Sequence, residues 1–152
     1  MSKLIDFIDA KPDQNLLLRD ILIKSKGYWG YSEEQLAIWR SNLVFEKKYI
    51  SQNTVKLIIK ESKIIGFFAI TRNKVDLLDH LWLLPEAIGK GIGNLVFKQI
   101  LKECNALGIS EFFIISDPDA QGFYEKKGAK QVGEVYSEPQ KRMLAKFNFQ
   151  VV

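Results

Sequence analysis

The sequence predicts an α+β domain, and three observations carry that prediction. First, Thr54–Lys60, Ile64–Ile70 and Val75–Leu84 are β-rich apolar runs joined by short polar turns, the pattern of a meander. Second, segments of helical spacing precede and follow that meander. Third, the last part of the chain returns to strand-like runs at Val132–Tyr136 and Arg142–Phe149. The resulting order is β-α-α-β-β-β-α-β-α-β-β, which suits one domain with one sizeable core at 152 residues.

Lys3–Ile8 is the expected first strand. Pro12-Asp13 opens a helix whose apolar face holds Leu16, Leu17 and Ile21, and Gly27 closes it. Tyr28-Trp29-Gly30-Tyr31 then forms an aromatic, glycine-bracketed loop. Ser32 caps a second helix, with Gln35 in the capping-box position and Leu36, Ile38, Trp39, Leu43 and Phe45 on its apolar side. Glu61-Ser62-Lys63 and Asn73-Lys74 are the turns of the meander. A helix from Gly91 to Ala106 stops at Gly108. Ile109–Ser116 is a buried strand, Ala120–Lys127 a short helix ended by Gly128, and Pro139 lies in the last hairpin loop. The strand, glycine turn, helix and strand from Val75 to Ser116 form a parallel crossover.

Composition narrows the function classes. The net charge of +4 is mild, and no basic block with interleaved aromatics is present, so nucleic acid is not the expected partner. One cysteine excludes an internal disulfide, and Cys104 sits among Phe97, Ile100, Leu101 and Leu107 as a buried structural thiol. The single histidine, His80, lacks companions for a zinc site, so no metal is expected. Charge breaks the N-terminal segment, and no window reaches the ~18 apolar residues of a membrane span. The expected location is the cytoplasm.

The chemistry-bearing stretch is Leu81–Asn94. An apolar strand ends at Pro85, and Gly89, Gly91 and Gly93 then alternate ahead of a helix. Glycine backbones approach a ligand closely, and a helix start offers unpartnered amides and positive potential. That combination suits phosphate oxygens; a ligand-free glycine turn has the same pattern.

Two motifs at this separation make the chain resemble the GNAT superfamily of acetyl-CoA-dependent N-acetyltransferases over nearly its whole length. The family's Arg/Gln-x-x-Gly-x-Gly/Ala pyrophosphate loop falls on Ile88-Gly89-Lys90-Gly91-Ile92-Gly93, and its Asn-Ala-x-x-Phe-Tyr-Glu-Lys-x-Gly element falls on Asp119–Gly128. The resemblance implies a GNAT-like α+β fold: a central mixed, mostly antiparallel sheet of about six to seven strands with about four helices. It implies one acetyltransferase domain over residues 1–152, with acetyl-CoA as co-substrate. The implied reaction is direct transfer of acetyl to a primary amine of a small molecule or peptide. Cofactor contacts are implied for Leu83, Leu84, Ile88, Gly89, Lys90, Gly91, Ile92, Gly93, Asn94 and Asp119. Ile88 replaces the usual Arg or Gln, and Asp119 the usual Asn; a carboxylate accepts hydrogen bonds but cannot donate as an amide does.

Transfer makes three demands. The amine must lose a proton, because an alkyl ammonium has a pKa near ~10 and no free lone pair. The carbonyl oxygen needs donors as it turns anionic, and the departing thiolate needs a proton or hydrogen bond. The resemblance assigns the last task to Tyr124 and the oxyanion contact to main-chain amides around Leu83 and Leu84. The resemblance puts the base upstream of Leu83 at Asp79 or Leu77, on one strand face with Leu81, and makes Asp79 the leading candidate, directly or through water. His80 is the alternative base by its intrinsic pKa, but it shares the other face with Asp76, Leu78 and Trp82 and reads as a hydrogen-bonded histidine beside the core. Tyr28, Trp29 and Tyr31, with the loop around Ser137–Pro139, would hold the acceptor, and Asp76, Asp79, Glu134 and Glu138 could attract its charge. A non-catalytic acyl-CoA-binding module of the same fold is the competing expectation. Edge strands near the C-terminus could pair two copies into a homodimer.

Overall fold

The computed structural model describes residues 5–42, 45–138 and 140–151. The expected strand residues Lys3 and Leu4, the helix residue Leu43 and the loop residue Pro139 lie outside them. Seven strands form one mixed sheet: β1 (Ile5–Asp9), β2 (Thr54–Lys60), β3 (Lys63–Arg72), β4 (Asp76–Leu83), β5 (Glu111–Ser116), β6 (Lys130–Ser137) and β7 (Arg142–Gln150). Their order is β1-β2-β3-β4-β5-β7-β6. The β4–β5 pair is parallel, as the intervening helix requires, whereas β1–β2, β2–β3, β5–β7 and β6–β7 are antiparallel. The helices are α1 (Asn15–Tyr28), α2 (Glu33–Asn42), α3 (Lys47–Gln52), α4 (Ile92–Ala106) and α5 (Gln121–Lys126). This is the α+β, GNAT-like architecture expected.

The chain divides into two compact units. One takes the residues up to Ile70 with His80–Lys98; the other takes Thr71–Asp79 with Gln99 onward. In the first, Leu18, Leu22, Leu57 and Phe67 are fully or almost fully buried, and Leu36, Trp39, Phe45, Ile50 and Val55 join the same core. In the second, Phe112 stacks on Phe149 with ring centroids 5.4 Å apart, and Ile114, Phe147, Ile100 and Cys104 are buried. Burial pushes the Cys104 thiol up to about 11, with smaller contributions from Asp76 and Glu103, so the thiol stays protonated near neutrality. That is the inert structural cysteine expected.

Three local expectations need correction. Helix α1 starts at Asn15, after a single 3-10 turn at Pro12–Gln14, and runs through Gly27 to Tyr28. Its inward face is Leu18, Ile21, Leu22, Ser25 and Lys26, and Leu16 is exposed. Adjacent leucines at 16, 17 and 18 all suit some helical face, and only packing selects which one turns inward. Ile38 is likewise exposed, and Phe45 lies beyond the end of α2. Helix α3 was not expected: its six residues are too few to display a period.

Turn chemistry follows expectation more closely. Ser32 Oγ accepts from the Gln35 N–H at 3.1 Å at the start of α2, a cap that contributes about 1 kcal/mol. Glu61 and Ser62 have φ of 52° and 67° between Lys60 and Lys63, as a two-residue hairpin turn demands.

Candidate active site

Strand β4 carries residues of both units. In the first, it ends against β3. The Leu84 N–H donates to the Ile65 carbonyl at 2.7 Å. Successive amides in an antiparallel ladder point to opposite edges, which directs the Leu83 N–H away from β3. Among the described residues, the parallel pairing of β4 with β5 covers Leu77 and Leu78, well before Leu83. The Leu84 amide is therefore occupied within the sheet, and of the two it is the Leu83 N–H that faces away from β3.

Gly66 of β3 makes this close approach possible. A Cβ there would run into the Trp82 carbonyl oxygen and lie 3.0 Å from Leu83 Cδ2 and 3.2 Å from Leu83 Cα. Trp82 Nε1–H donates to His80 Nδ1 at 2.9 Å. The acceptor nitrogen carries no proton, so the other ring nitrogen holds it in the neutral tautomer. His80 is also packed among Phe45, Tyr49 and Phe67. It is the hydrogen-bonded histidine beside the core that the strand alternation predicts.

After β4 come a 3-10 turn at Pro85–Ala87 and the glycine loop. The Ile88 N–H is bonded to the Pro85 carbonyl at 3.2 Å, and the Ile88 side chain is partly buried. Gly89 and Gly91 have φ of 80° and 75°, and added Cβ atoms would meet only open space. Their requirement is thus conformational, not steric: φ in this range disfavours any L side chain. Gly89, Lys90, Gly91 and Asn94 are exposed, whereas Ile92 is buried and anchors the first turn of the fifteen-residue α4. The loop thus presents open backbone and a Lys90 cation at a helix N-terminus, which fits a pyrophosphate.

The aromatic loop separates into two parts. Tyr28 and Trp29 are both exposed and meet edge to face at 4.9 Å. Tyr31 instead turns inward onto Trp39 at 4.8 Å. Lys26 is only 5% exposed, and its Nζ lies 5.2 Å from the Tyr31 ring, 4.6 Å from Trp39 and 4.9 Å from Trp82.

In the second unit, Tyr124 of α5 is buried against Phe123 and Phe147. Burial, and secondarily the Asp117 charge, raises its phenol well above the ordinary range. Asp117 itself accepts from Gln140 Nε2 at 2.6 Å, and Gln140 Oε1 accepts from Arg142. Asp119 is exposed in the 3-10 turn before α5, and Asp79 is half-buried on β4. Asp76 is held by Arg72 Nε at 3.1 Å, so its charge is already answered within the fold. The structure places Leu83, Leu84, residues 88–94, Tyr28, Trp29 and Tyr31 in the first unit, and Asp79, Asp119 and Tyr124 in the second.

Residues 30–143 match the family model for the acetyltransferase (GNAT) domain. The chain belongs to the GNAT acetyltransferase family. Acetyl-CoA is that family's acyl donor. Solved structures agree on the fold. A GCN5-related N-acetyltransferase from Rhodopseudomonas palustris superposes with a TM-score of 0.76 at 18% identity, over 99% of this chain and 98% of that one. The PaiA N-acetyltransferase from Thermoplasma acidophilum, in complex with coenzyme A, gives 0.72 at 20% identity, over 98% and 100%. An IAA acetyltransferase from Bacillus cereus gives 0.66 at 16%, over 98% and 99%. No curated protein matches the sequence. Among the described residues of this GNAT chain, no helix is long and apolar enough to cross a membrane.

Lys26 and Gly66 are the site features that sequence reasoning passed over. Gly66 had a signal, a glycine inside an apolar strand, which marks close backbone approach. Lys26 had none, because a lysine at a helix end normally reads as solvated.

Proposed function

We propose that this GNAT protein is an N-acetyltransferase acting as one domain, moving acetyl from acetyl-CoA directly to a primary amine of a small molecule or peptide. The observation that carries the reading is the loop at 88–94: two left-handed glycines with open backbone feed a long helix whose first turn is anchored by Ile92. Gly89 to Asn94 would hold the pyrophosphate, aided by Lys90. The Leu83 N–H would hold the thioester oxygen, and Asp119 would lie along the pantetheine arm. A new C–N bond forms as the C–S bond breaks; the amine proton passes to the base, and the sulfur is met by the Tyr124 phenol. Asp79 is the proposed base, directly or through water. Tyr28 and Trp29 supply an exposed aromatic wall for the acceptor, and Tyr31 of the same loop turns inward onto Trp39.

A thermal-shift titration with acetyl-CoA and a free-thiol release assay over an amine panel test this. Stabilisation with amine-dependent release is expected; no stabilisation at millimolar acetyl-CoA would overturn it. Stabilisation without release on any amine would favour the non-catalytic module, a reading supported by Ile88 and Asp119 standing where the family has Arg or Gln and Asn.

Two variants refine the assignment. Ile88→Arg should tighten acetyl-CoA binding roughly three- to tenfold in calorimetry, because a charge-assisted contact to phosphate is regained. Asp79→Asn should lower kcat/KM by about 10²-fold or more, whereas His80→Gln should leave it within about threefold of wild type. If Asp79→Asn keeps wild-type kcat/KM, Asp79 is not the base.

A second copy of the chain is the partner that edge strand β6 fits. Lys130 to Tyr136 are exposed, and past the register shift between Gln131 and Gly133 the strand runs regularly. Sedimentation should show a dimer that Val132→Lys dissociates; a wild-type monomer at 100 μM (about 10² times a typical ~1 μM association) would exclude it.

A further inference from the structure

We infer that Lys26 is a positioning residue for the end of β4. The inference rests on the proposed placement of the thioester at Leu83. Lys26 projects from the last turns of α1 and is buried, with its ammonium surrounded by the rings of Tyr31, Trp39 and Trp82 at 4.6 to 5.2 Å. A buried cation is costly unless its surroundings answer its charge, and the three ring faces contribute to that. The attraction is mutual, so the ammonium fixes the rings as firmly as they fix it.

Trp82 is the ring that matters most, because it directly precedes Leu83. It is restrained from three directions. Its carbonyl abuts Gly66, its indole N–H is bonded to His80 Nδ1, and its ring face meets the Lys26 ammonium. The first restraint sets the depth of the backbone, the second the tilt of the ring, and the third the side from which it packs. Tyr31 shares the same ammonium and is the aromatic-loop residue that turns inward. One charge therefore ties the aromatic loop after α1 to the residue beside the proposed oxyanion amide. A hydrophobic side chain of equal length would fill the space without orienting three ring faces.

The test compares wild type, Lys26→Met and Lys26→Arg. Met keeps the length and removes the charge; Arg keeps a cation that stacks on rings. Two measurements are made: amide hydrogen exchange over residues 82–88 in the free protein, and acetyl-CoA affinity by calorimetry. Lys26→Met should exchange at least tenfold faster over 82–88 and bind acetyl-CoA about tenfold more weakly, since small misplacements of a binding group have effects of this order. Lys26→Arg should return both to within about threefold of wild type. Exchange unchanged in Lys26→Met, or Arg no better than Met, overturns the proposal. Should Lys26→Met fail to fold, Trp82→Phe serves: it keeps a ring over Lys26 and deletes the bond to His80, so exchange should rise by less than about threefold. A tenfold rise there would place the restraint in His80 instead. If exchange responds as expected but wild type does not bind acetyl-CoA, the positioning role stands and the reading of the cofactor loop fails.

Discussion

Replacing Tyr124 by Phe should lower turnover by about 10²- to 10³-fold, some 2.7–4 kcal/mol of barrier, while acetyl-CoA affinity changes less than about threefold. The substitution deletes one oxygen and leaves the ring packed against Phe123 and Phe147. The environment of Tyr124 also specifies how it would act. Desolvation, with help from Asp117, holds the phenol above its ordinary range, so it stays protonated wherever the enzyme works. In the proposed role, a phenol so reluctant to ionise would serve the departing sulfur as a hydrogen-bond donor more readily than by complete proton transfer. In that role the active form is the protonated one, so Tyr124 should cause no alkaline fall in rate below about pH 10, its ordinary pKa. Its contribution to folding has the same sense, full below that pH and lost as pH rises further. Steady-state kinetics over an amine panel with parallel calorimetry checks both parts. Turnover unchanged in the Phe variant would remove Tyr124 from the chemistry.

Gly66→Ala should destabilise the protein by about 2–4 kcal/mol, a fall in melting temperature of roughly 5–15 °C. The added Cβ would meet a backbone carbonyl, that of Trp82, and backbone cannot rotate out of the way as a side chain can. Relief requires β3 and the end of β4 to separate, which would also strain the 2.7 Å bond from the Leu84 N–H to Ile65. Acetyl-CoA affinity should therefore fall together with stability. Gly91→Ala makes the control. Its Cβ has open space and only φ of 75° to oppose it, so its stability loss should be about 1–2 kcal/mol. Melting curves of the two variants should rank Gly66→Ala as the more damaging; a melting temperature within 2 °C of wild type for Gly66→Ala (under ~1 kcal/mol) would show that the approach of β3 to β4 is loose.

Much of this protein was legible in its sequence because the relevant forces are local. The meander, the long helix after the glycines and the closing hairpin each follow from side-chain period and turn chemistry over a few residues. Gly89 and Gly91 were readable for the same reason: a left-handed turn requires a residue without a side chain, and that requirement is written at the position itself. The alternation that sets His80 and Trp82 on one face of β4 also held, since strand geometry permits no other arrangement. Tertiary structure decided the rest. It turned Leu18 inward and left Leu16 exposed, occupied the Leu84 amide with a carbonyl nineteen residues earlier in the chain (Ile65), and gathered Tyr31, Trp39 and Trp82 around one buried ammonium. Those outcomes depend on which distant groups meet, and neither a period nor a motif within one segment encodes the partner that a charge or an amide will find.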